Sequence, residues 1–280
     1  TQLGQYYKVQ LDPFEILLQK DWLSFDLYKL QWVNKDQLIG IHSIKAALID
    51  ANDPSEIELL SSGNYKAECE FELQYPVFVS HSENDLVAQT IDNNKEFFRT
   101  PLDMEAGQKP LFSLHTDKTT LAIARPKGVV DIMNINSNKL NLSIETSFEF
   151  IHHILILPNG NELIVHGGPD NPSTRFYSMK DGGEILKKFD LSFKYLSGET
   201  MQIDSIGSYA VSNNGKYIAA GCGYINNPQL LVFNYETCEL VKTIEIDFVQ
   251  KGFKMFFSES GDLLFLRTDT GFMIVLNLSQ

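Results

Sequence analysis

A hairpin plan that recurs along the chain constrains the fold more than any other feature of this sequence. Two apolar runs flank a Pro-Asn-Gly turn over residues 155–165, and the same plan returns over 209–221 and 255–266. Asn-Gly turns supply the positive φ that two-residue hairpins demand, so each segment is predicted to form a tight β-hairpin. Looser copies of the plan lie at 30–41, 69–80 and 111–124.

Each hairpin is followed by a third apolar run, a polar turn and a fourth run. The clearest examples are residues 130–142 and 230–244, with further copies at 47–59, 86–98 and 175–186. The repeat therefore has four strands and a period of roughly 41–46 residues, stretched by an insertion near 194–202. This period predicts an all-β fold: one β-propeller domain over residues 1–280, with about six four-stranded blades, or seven if the N-terminal segment contains one.

The two ends of the chain are predicted to meet in one blade. The last repeat stops at a third strand over 272–278, and its fourth strand is expected from residues 6–11 or 14–18. Such a strand would close the ring and cover an exposed sheet edge. Residues 15–25 have the best helical spacing in the chain, although a strand with a loop fits them equally well.

The repeats resemble divergent WD-repeats. Residues 212–221 are similar to the Ser-Pro-Asp-Gly-Lys stretch at the first turn of that family, and residues 231–235 are similar to its third strand. The Trp-Asp dipeptide and the Gly-His pair of the family are absent from every repeat, so a propeller outside the WD class is the nearest alternative. The resemblance implies a propeller that serves as a scaffold for other proteins.

Charge narrows the range of partners. The chain has 36 acidic and 23 basic side chains and a formal charge of −13. Nucleic acids and anionic membranes are attracted by Lys and Arg, so we expect neither as a direct partner. An acidic surface attracts basic proteins, and we expect a basic protein partner and a monomer outside the complex. No apolar run reaches the ~18 residues of a membrane span.

The three cysteines, Cys69, Cys222 and Cys238, are widely spaced and odd in number. This pattern indicates free thiols in a reducing compartment, and we expect a cytoplasmic protein.

A search for chemistry predicts no catalytic residue, metal or cofactor. The sequence has no Gly-x-Ser-x-Gly elbow, no Cys-x-x-Cys pair and no Asp-x-Asp-x-Asp loop. His152 and His153 are adjacent, so on a regular strand they would point to opposite faces and could not share one ion. The strand-end histidines His42, His81, His115 and His166 are expected to bond neighbouring backbone.

The remaining candidates for a functional site are surface loops. In WD-like blades, the loop between the second and third strands and the loop between blades share one rim, and here these include residues 125–128, 166–175, 193–200 and 221–228. Loops on a rigid scaffold commonly carry binding residues. The residues predicted to bind a partner are Trp22, Arg125, His166, Asp170, Tyr195 and Tyr224.

The expected function is a non-catalytic protein-binding propeller. Three alternatives remain open from the sequence: an immunity or inhibitor protein that neutralises a cationic toxin or nuclease, a propeller-type lactonase or hydrolase with a site in a central channel, and a structural part of a larger assembly.

Overall fold

The structure, a computed structural model, divides the chain into two compact units. The first comprises residues 1–110 with 135–138, and the second comprises 111–134 with 139–280. The residues described are 4–11, 14–22, 29–32, 36–42, 45–50, 57–62, 71–74, 76–82, 84–93, 95–103, 110–168, 173–186, 192–194, 200–202, 206–212, 214–222, 229–245, 253–258, 260–268 and 273–278. A single domain over 1–280 stays a prediction.

The first unit contains a hairpin and two four-stranded antiparallel sheets, each with its strands in chain order. Residues Val77, Phe78 and Val79 on one strand and Leu86 on the next are buried, which places apolar side chains in the middle of the second sheet. The strands are β1 (Gly4–Leu11) and β2 (Phe14–Trp22); β3 (Lys29–Trp32), β4 (Gln37–His42), β5 (Lys45–Asp50) and β6 (Ile57–Ser62); and β7 (Phe71–Gln74), β8 (Val77–Ser82), β9 (Asp85–Thr90) and β10 (Lys95–Pro101).

Strand β2 settles one alternative left open by the sequence. The helical alternative for residues 15–25 is wrong up to residue 22, because residues 14–22 form a strand that pairs with β1 along its length. Residues 23–25 lie outside the described residues. Pairing of an N-terminal strand with the last sheet, which would close a ring, stays a prediction, as does the number of blades.

The second unit repeats the same plan. Its strands form three four-stranded sheets, one three-stranded sheet and a short hairpin, all antiparallel and in chain order. The strands are β11 (Phe112–Leu114), β12 (Thr120–Arg125), β13 (Val129–Asn134) and β14 (Lys139–Glu145); β15 (Ile151–Ile156), β16 (Glu162–Gly167), β17 (Ser173–Ser178) and β18 (Glu184–Ile185); the hairpin β19 (Ser192–Lys194) and β20 (Thr200–Gln202); β21 (Ile206–Val211), β22 (Tyr217–Cys222), β23 (Gln229–Asn234) and β24 (Leu240–Glu245); and β25 (Phe253–Phe257), β26 (Leu263–Thr268) and β27 (Met273–Asn277).

Every repeat predicted from the sequence therefore corresponds to one described sheet. The insertion predicted near 194–202 is the β19–β20 hairpin. Within the described ranges, the helical content is one short 3-10 turn at Pro126–Gly128.

The turns between first and second strands share one geometry. The N–H of Leu157 donates to Glu162 O, and the N–H of Gly160 donates to Leu157 O, both at 2.9 Å. Four residues thus lie between the bonded pair, so the predicted two-residue turn is wrong in length. The predicted positive φ is confirmed, at 68° for Gly160. The same pair of bonds occurs at His115/Thr120, Ser212/Tyr217 and Ser258/Leu263, with positive φ at Lys118, Gly215 and Gly261.

Neighbouring turns are also bonded to one another. The Nε2–H of His115 donates to Pro158 O in the next sheet, at 3.2 Å. Two sheets further on, the Nδ2–H of Asn214 donates to Ser260 O at 2.6 Å. The same Asn214 side chain accepts the backbone N–H of Lys216 in its own turn, at 3.0 Å.

The core of the second unit lies between the faces of successive sheets. Side chains alternate along a strand, so neighbouring residues face different sheets. On β16, Leu163 packs with Ile132 of the preceding sheet, whereas Ile164 packs with Ile218 of the following one. Burial of both faces explains why the strands read as nearly continuous apolar runs.

The shared turn geometry predicts the effect of a substitution at Gly215. A side chain there would adopt φ of 70° with nothing within 4 Å of its Cβ, so the cost is conformational alone. We expect Gly215→Ala to lower the free energy of unfolding by about 1 kcal/mol, measured by urea denaturation. Gly183→Ala is the control, because its Cβ would meet only the Asp181 side chain, at 3.4 Å or more, and its φ is ordinary. Equal losses in both variants would contradict the turn assignment.

Candidate functional site

The two ends of each sheet differ in what they present. One end has the tight turns described above. The other, here called the loop edge, has the connections from second to third strand and from one sheet to the next. In the second unit its described residues include 125–129, 145–152 and 166–168. This is the rim that the sequence predicted as a binding surface.

Arg125, one of the predicted binding residues, is held within its own sheet. Its Nε donates to Asp131 Oδ2 at 2.9 Å, and the side chains of the pair are 15% and 17% exposed. The second carboxylate oxygen of Asp131 accepts the Ser143 hydroxyl at 2.5 Å. The pair therefore fixes the base of the connection at Pro126–Gly128, and the residue that it leaves exposed is Lys127.

The next connection packs directly onto this one. Both the N–H and the hydroxyl of Thr146 donate to Gly128 O, at 2.9 and 2.6 Å. A Cβ atom at Gly128 would lie 1.6 Å from the carbonyl oxygen of Phe148, so only glycine fits. On the other side, the N–H of Ser147 donates to the hydroxyl of Tyr177, at 3.1 Å. Residues 146–148 are thus bonded to the sheets on both sides.

This braced segment leads to an exposed aromatic side chain. Phe150 is 44% exposed, while its carbonyl oxygen accepts the N–H of Gly168 at 2.9 Å. Glu145 and Glu149 are exposed on the same connection. A half-exposed phenyl ring on fixed backbone can anchor a partner without a large loss of entropy.

Phe150 is not among the binding residues predicted from the sequence. It leads without a turn signal into residues 151–157, five of which are apolar, so it reads as the start of a buried strand.

The side chains of His152, His153 and His166 lie close to one another, next to the loop edge. A register shift interrupts the β15–β16 pairing between Ile151 and His153, so His152 departs from regular alternation. The premise that His152 and His153 lie on a regular strand is therefore wrong. The ring centroid of His152 is 6.2 Å from that of His166, and the ring centroids of His153 and His166 are 5.5 and 6.1 Å from that of Tyr209.

Hydrogen bonds tie most of these side chains to the loop edge. His152 Nε2 donates to Gly168 O at 2.9 Å. His166 Nδ1 and Thr174 Oγ1 are joined at 3.2 Å, and Thr174 Oγ1 is bonded in turn to the Tyr209 hydroxyl. His153 Nδ1 is buried and has no hydrogen-bond partner. We call His152, His153, His166, Thr174 and Tyr209 the histidine cluster.

Two histidines of the cluster, His153 and His166, are uncharged at neutral pH. Burial lowers the pKa of His153 to about 4. Burial also lowers the pKa of His166 to about 4, and the neighbouring His152 and His153 add to that effect. His166, the second predicted binding residue with a described side chain, is only 2% exposed. It bonds the Thr174 side chain, and it also makes the expected bond to neighbouring backbone, at Ser173.

The remaining predicted binding residues lie outside what is described. Trp22 ends β2, but its side chain is not among the described ones, and Asp170, Tyr195 and Tyr224 are outside the described residues altogether. Their roles stay predictions. Among the side chains that the structure does describe, no three His, Cys, Asp or Glu groups are placed to hold a metal ion.

Comparison with known proteins identifies the fold class. No family model and no curated protein matches the sequence. Solved structures do match, 1632 chains in all, and the breadth of that set means that the fold alone assigns no activity. The chain has the fold of the β-propellers.

Two of these structures illustrate the likeness. One is Kuenenia stuttgartiensis hydrazine synthase, with a TM-score of 0.61 and 13% identity over 92% of this chain and 79% of that one. The other is the β-propeller domain of Cps50 (Swd1) from Myceliophteria thermophila, with a TM-score of 0.60 and 15% identity over 98% of this chain and 90% of that one. Within the described residues, no helix has the length and apolarity needed to cross a bilayer.

The close approach at Gly128 predicts a severe effect of adding one methyl group. We expect Gly128→Ala to lower the free energy of unfolding by more than about 2 kcal/mol, because both its φ of 73° and the Phe148 carbonyl oppose a Cβ atom. Urea denaturation measures the loss. Lys127→Ala, at the exposed neighbouring position, should stay within about 0.5 kcal/mol of the parent. A mild effect of Gly128→Ala would show that residues 146–148 are not braced as described.

Proposed function

We propose that this chain is a non-catalytic protein-binding β-propeller whose loop edge receives a basic protein partner. The observation that carries the proposal is Phe150, which is 44% exposed on backbone bonded at Gly168. Aromatic anchors on rigid scaffolds dominate the affinity of many interfaces. The β-propeller fold, which many interaction modules share with the Cps50 (Swd1) domain, supports the same reading.

Charge favours a basic partner. The formal charge of the chain is −13, and exposed Glu145 and Glu149 lie on either side of the braced segment that leads to Phe150. Lys127 is the exposed cation of the neighbouring connection. Complementary charge raises the association rate and weakens with salt, because exposed charges more than about 8–10 Å apart are screened at physiological ionic strength.

We further propose a WD-repeat-like propeller that works in the reducing environment of the cytoplasm. The turn closed by the bond between Ser212 and Tyr217, with its positive φ at Gly215, supports the resemblance to the first turn of that family. The odd number and wide spacing of the three cysteines support a reducing compartment.

The anchor role of Phe150 is tested by truncation. Proteins captured by the parent chain at low salt would be identified by mass spectrometry, and the strongest purified binder titrated by calorimetry. We expect Phe150→Ala to weaken binding at least about 10-fold, because hot-spot truncation costs 2 kcal/mol or more. Phe256→Ala is the control, since Phe256 is 48% exposed on β25, away from the loop edge. Similar losses in both variants, with unfolding free energies unchanged, would sink the assignment of this surface.

The preference for a basic partner is tested by charge reversal. We expect Glu149→Lys to weaken binding several-fold and to flatten its dependence on salt between 50 and about 300 mM. Glu236→Lys changes the net charge equally on an exposed turn at the opposite end of the sheets, so it separates local from global charge. Affinity that is indifferent to salt in the parent protein would rule out the electrostatic part of the proposal.

A further inference from the structure

The first histidine of the cluster, His152, lies two residues after the exposed Phe150. His152 donates to the carbonyl oxygen of Gly168, and the N–H of the same Gly168 donates to the carbonyl oxygen of Phe150. The imidazole of His152 therefore bonds the same residue whose N–H holds the backbone of Phe150. Any event that separates the two connections displaces Phe150.

The groups packed around His153 and His166 determine what a positive charge on either ring would meet. The titratable groups that face His166 are His152 and His153 on β15 and Tyr209 on β21. Strand β17 contributes the hydroxyl of Thr174 and a backbone hydrogen bond at Ser173. Among the described groups, no carboxylate acts on His153 or His166. A proton on either buried ring would therefore have no opposite charge to pair with and would face the neighbouring imidazoles.

We propose that the histidine cluster makes the loop edge pH-sensitive: acidification separates residues 150–153 from 166–168 and displaces Phe150, so that the partner is released. The inference concerns the regulation of the surface proposed above and rests on that proposed function for its biological meaning. The opened segment hydrates the rings of His153 and His166 and allows them to take up protons, while the closed segment keeps these two rings neutral.

The sign of the effect follows from the two states. The pKa of His153 and that of His166 are about 4 when buried, against an ordinary value of 6.5. The open state therefore binds more protons between pH 6.5 and 4, and stability of the closed state falls as pH falls through that window. For one imidazole, the open fraction rises about 20-fold between pH 7 and 5, and for two the rise is several hundred-fold.

Hydrogen exchange on the full chain tests the inference without a partner. Amide exchange followed by NMR and corrected for intrinsic rates gives the opening constant at each N–H. We expect the constant at Gly168 to rise at least about 20-fold from pH 7 to 5. The amide of Thr146, which makes an equivalent 2.9 Å bond to Gly128 O away from the cluster, should change little. A flat response at Gly168, or an equal rise at both amides, would overturn the proposal.

Variants assign the response to particular rings. His153→Phe removes a buried nitrogen that has no partner, so we expect the variant to fold. The increase of the opening constant at Gly168 between pH 7 and 5 should be at least about 10-fold smaller than in the parent protein. His115→Gln, in a turn of the neighbouring sheet, should leave the rise unchanged. If both His153→Phe and His166→Asn leave the increase of the opening constant at Gly168 unchanged, the pH response comes from other groups and the proposal is contradicted. If His153→Phe fails to fold, the parent protein at Gly168 and Thr146 still decides the question.

The two proposals can fail separately. Phe150→Ala keeps all three histidines, so its amides should retain the pH response even if partner binding is lost. A pH response without any effect of Phe150 on binding would refute the proposed function and leave the pH-dependent opening in place.

Discussion

Burial of both faces of a sheet is the constraint on which the second unit depends. Successive residues of β16 face different neighbours, with Leu163 packed toward one sheet and Ile164 toward the next. An antiparallel sheet with two apolar faces that is covered on one side only would expose its other face to water. The cost is roughly 25 cal/mol for each Å² of apolar surface. Stacking sheets face to face removes that cost. It also places equivalent ends of neighbouring sheets side by side, and so assembles the loop edge from segments far apart in sequence.

The loop edge illustrates how a repetitive scaffold supports a non-repetitive surface. The tight turns at the other end of the sheets use one hydrogen-bond pattern four times. The connections at the loop edge differ from one another: one is a 3-10 turn fixed by Arg125 and Asp131, and the next is braced by Gly128 and Tyr177. Binding specificity can therefore vary there without any change in the packing between the sheets.

Much of the fold could be predicted because its signals are local. Alternating or continuous apolar runs and turns with a positive φ were sufficient to place all the predicted hairpins. The length of the turns was not predictable, since Asn159-Gly160 is compatible with a two-residue turn and the observed four-residue turn depends on the bond between Leu157 and Glu162. Residues 15–25 could be read as helix or strand because a short amphipathic segment fits both periods. Pairing with β1 determines that residues 14–22 form a strand.

The candidate site was less predictable, for a different reason. The bulge at His152 depends on pairing between strands, and no feature of the His-His dipeptide reveals it. Exposure of Phe150 likewise depends on where the preceding connection is held. Arg125 and His166 were identified as rim residues from their place in the repeat, but their polar groups are satisfied within the protein by Asp131 and Thr174.

The bonds between neighbouring turns have a consequence for how such a chain can evolve. Asn214 serves its own turn and also reaches Ser260 in the next sheet, and His115 does the same toward Pro158. A repeat moved to another position would lose the acceptor that its turn side chain requires, and its new neighbour would lose a donor. The repeats are therefore similar in shape but not interchangeable, and duplication or shuffling of single repeats must be followed by adjustment of the adjoining turns.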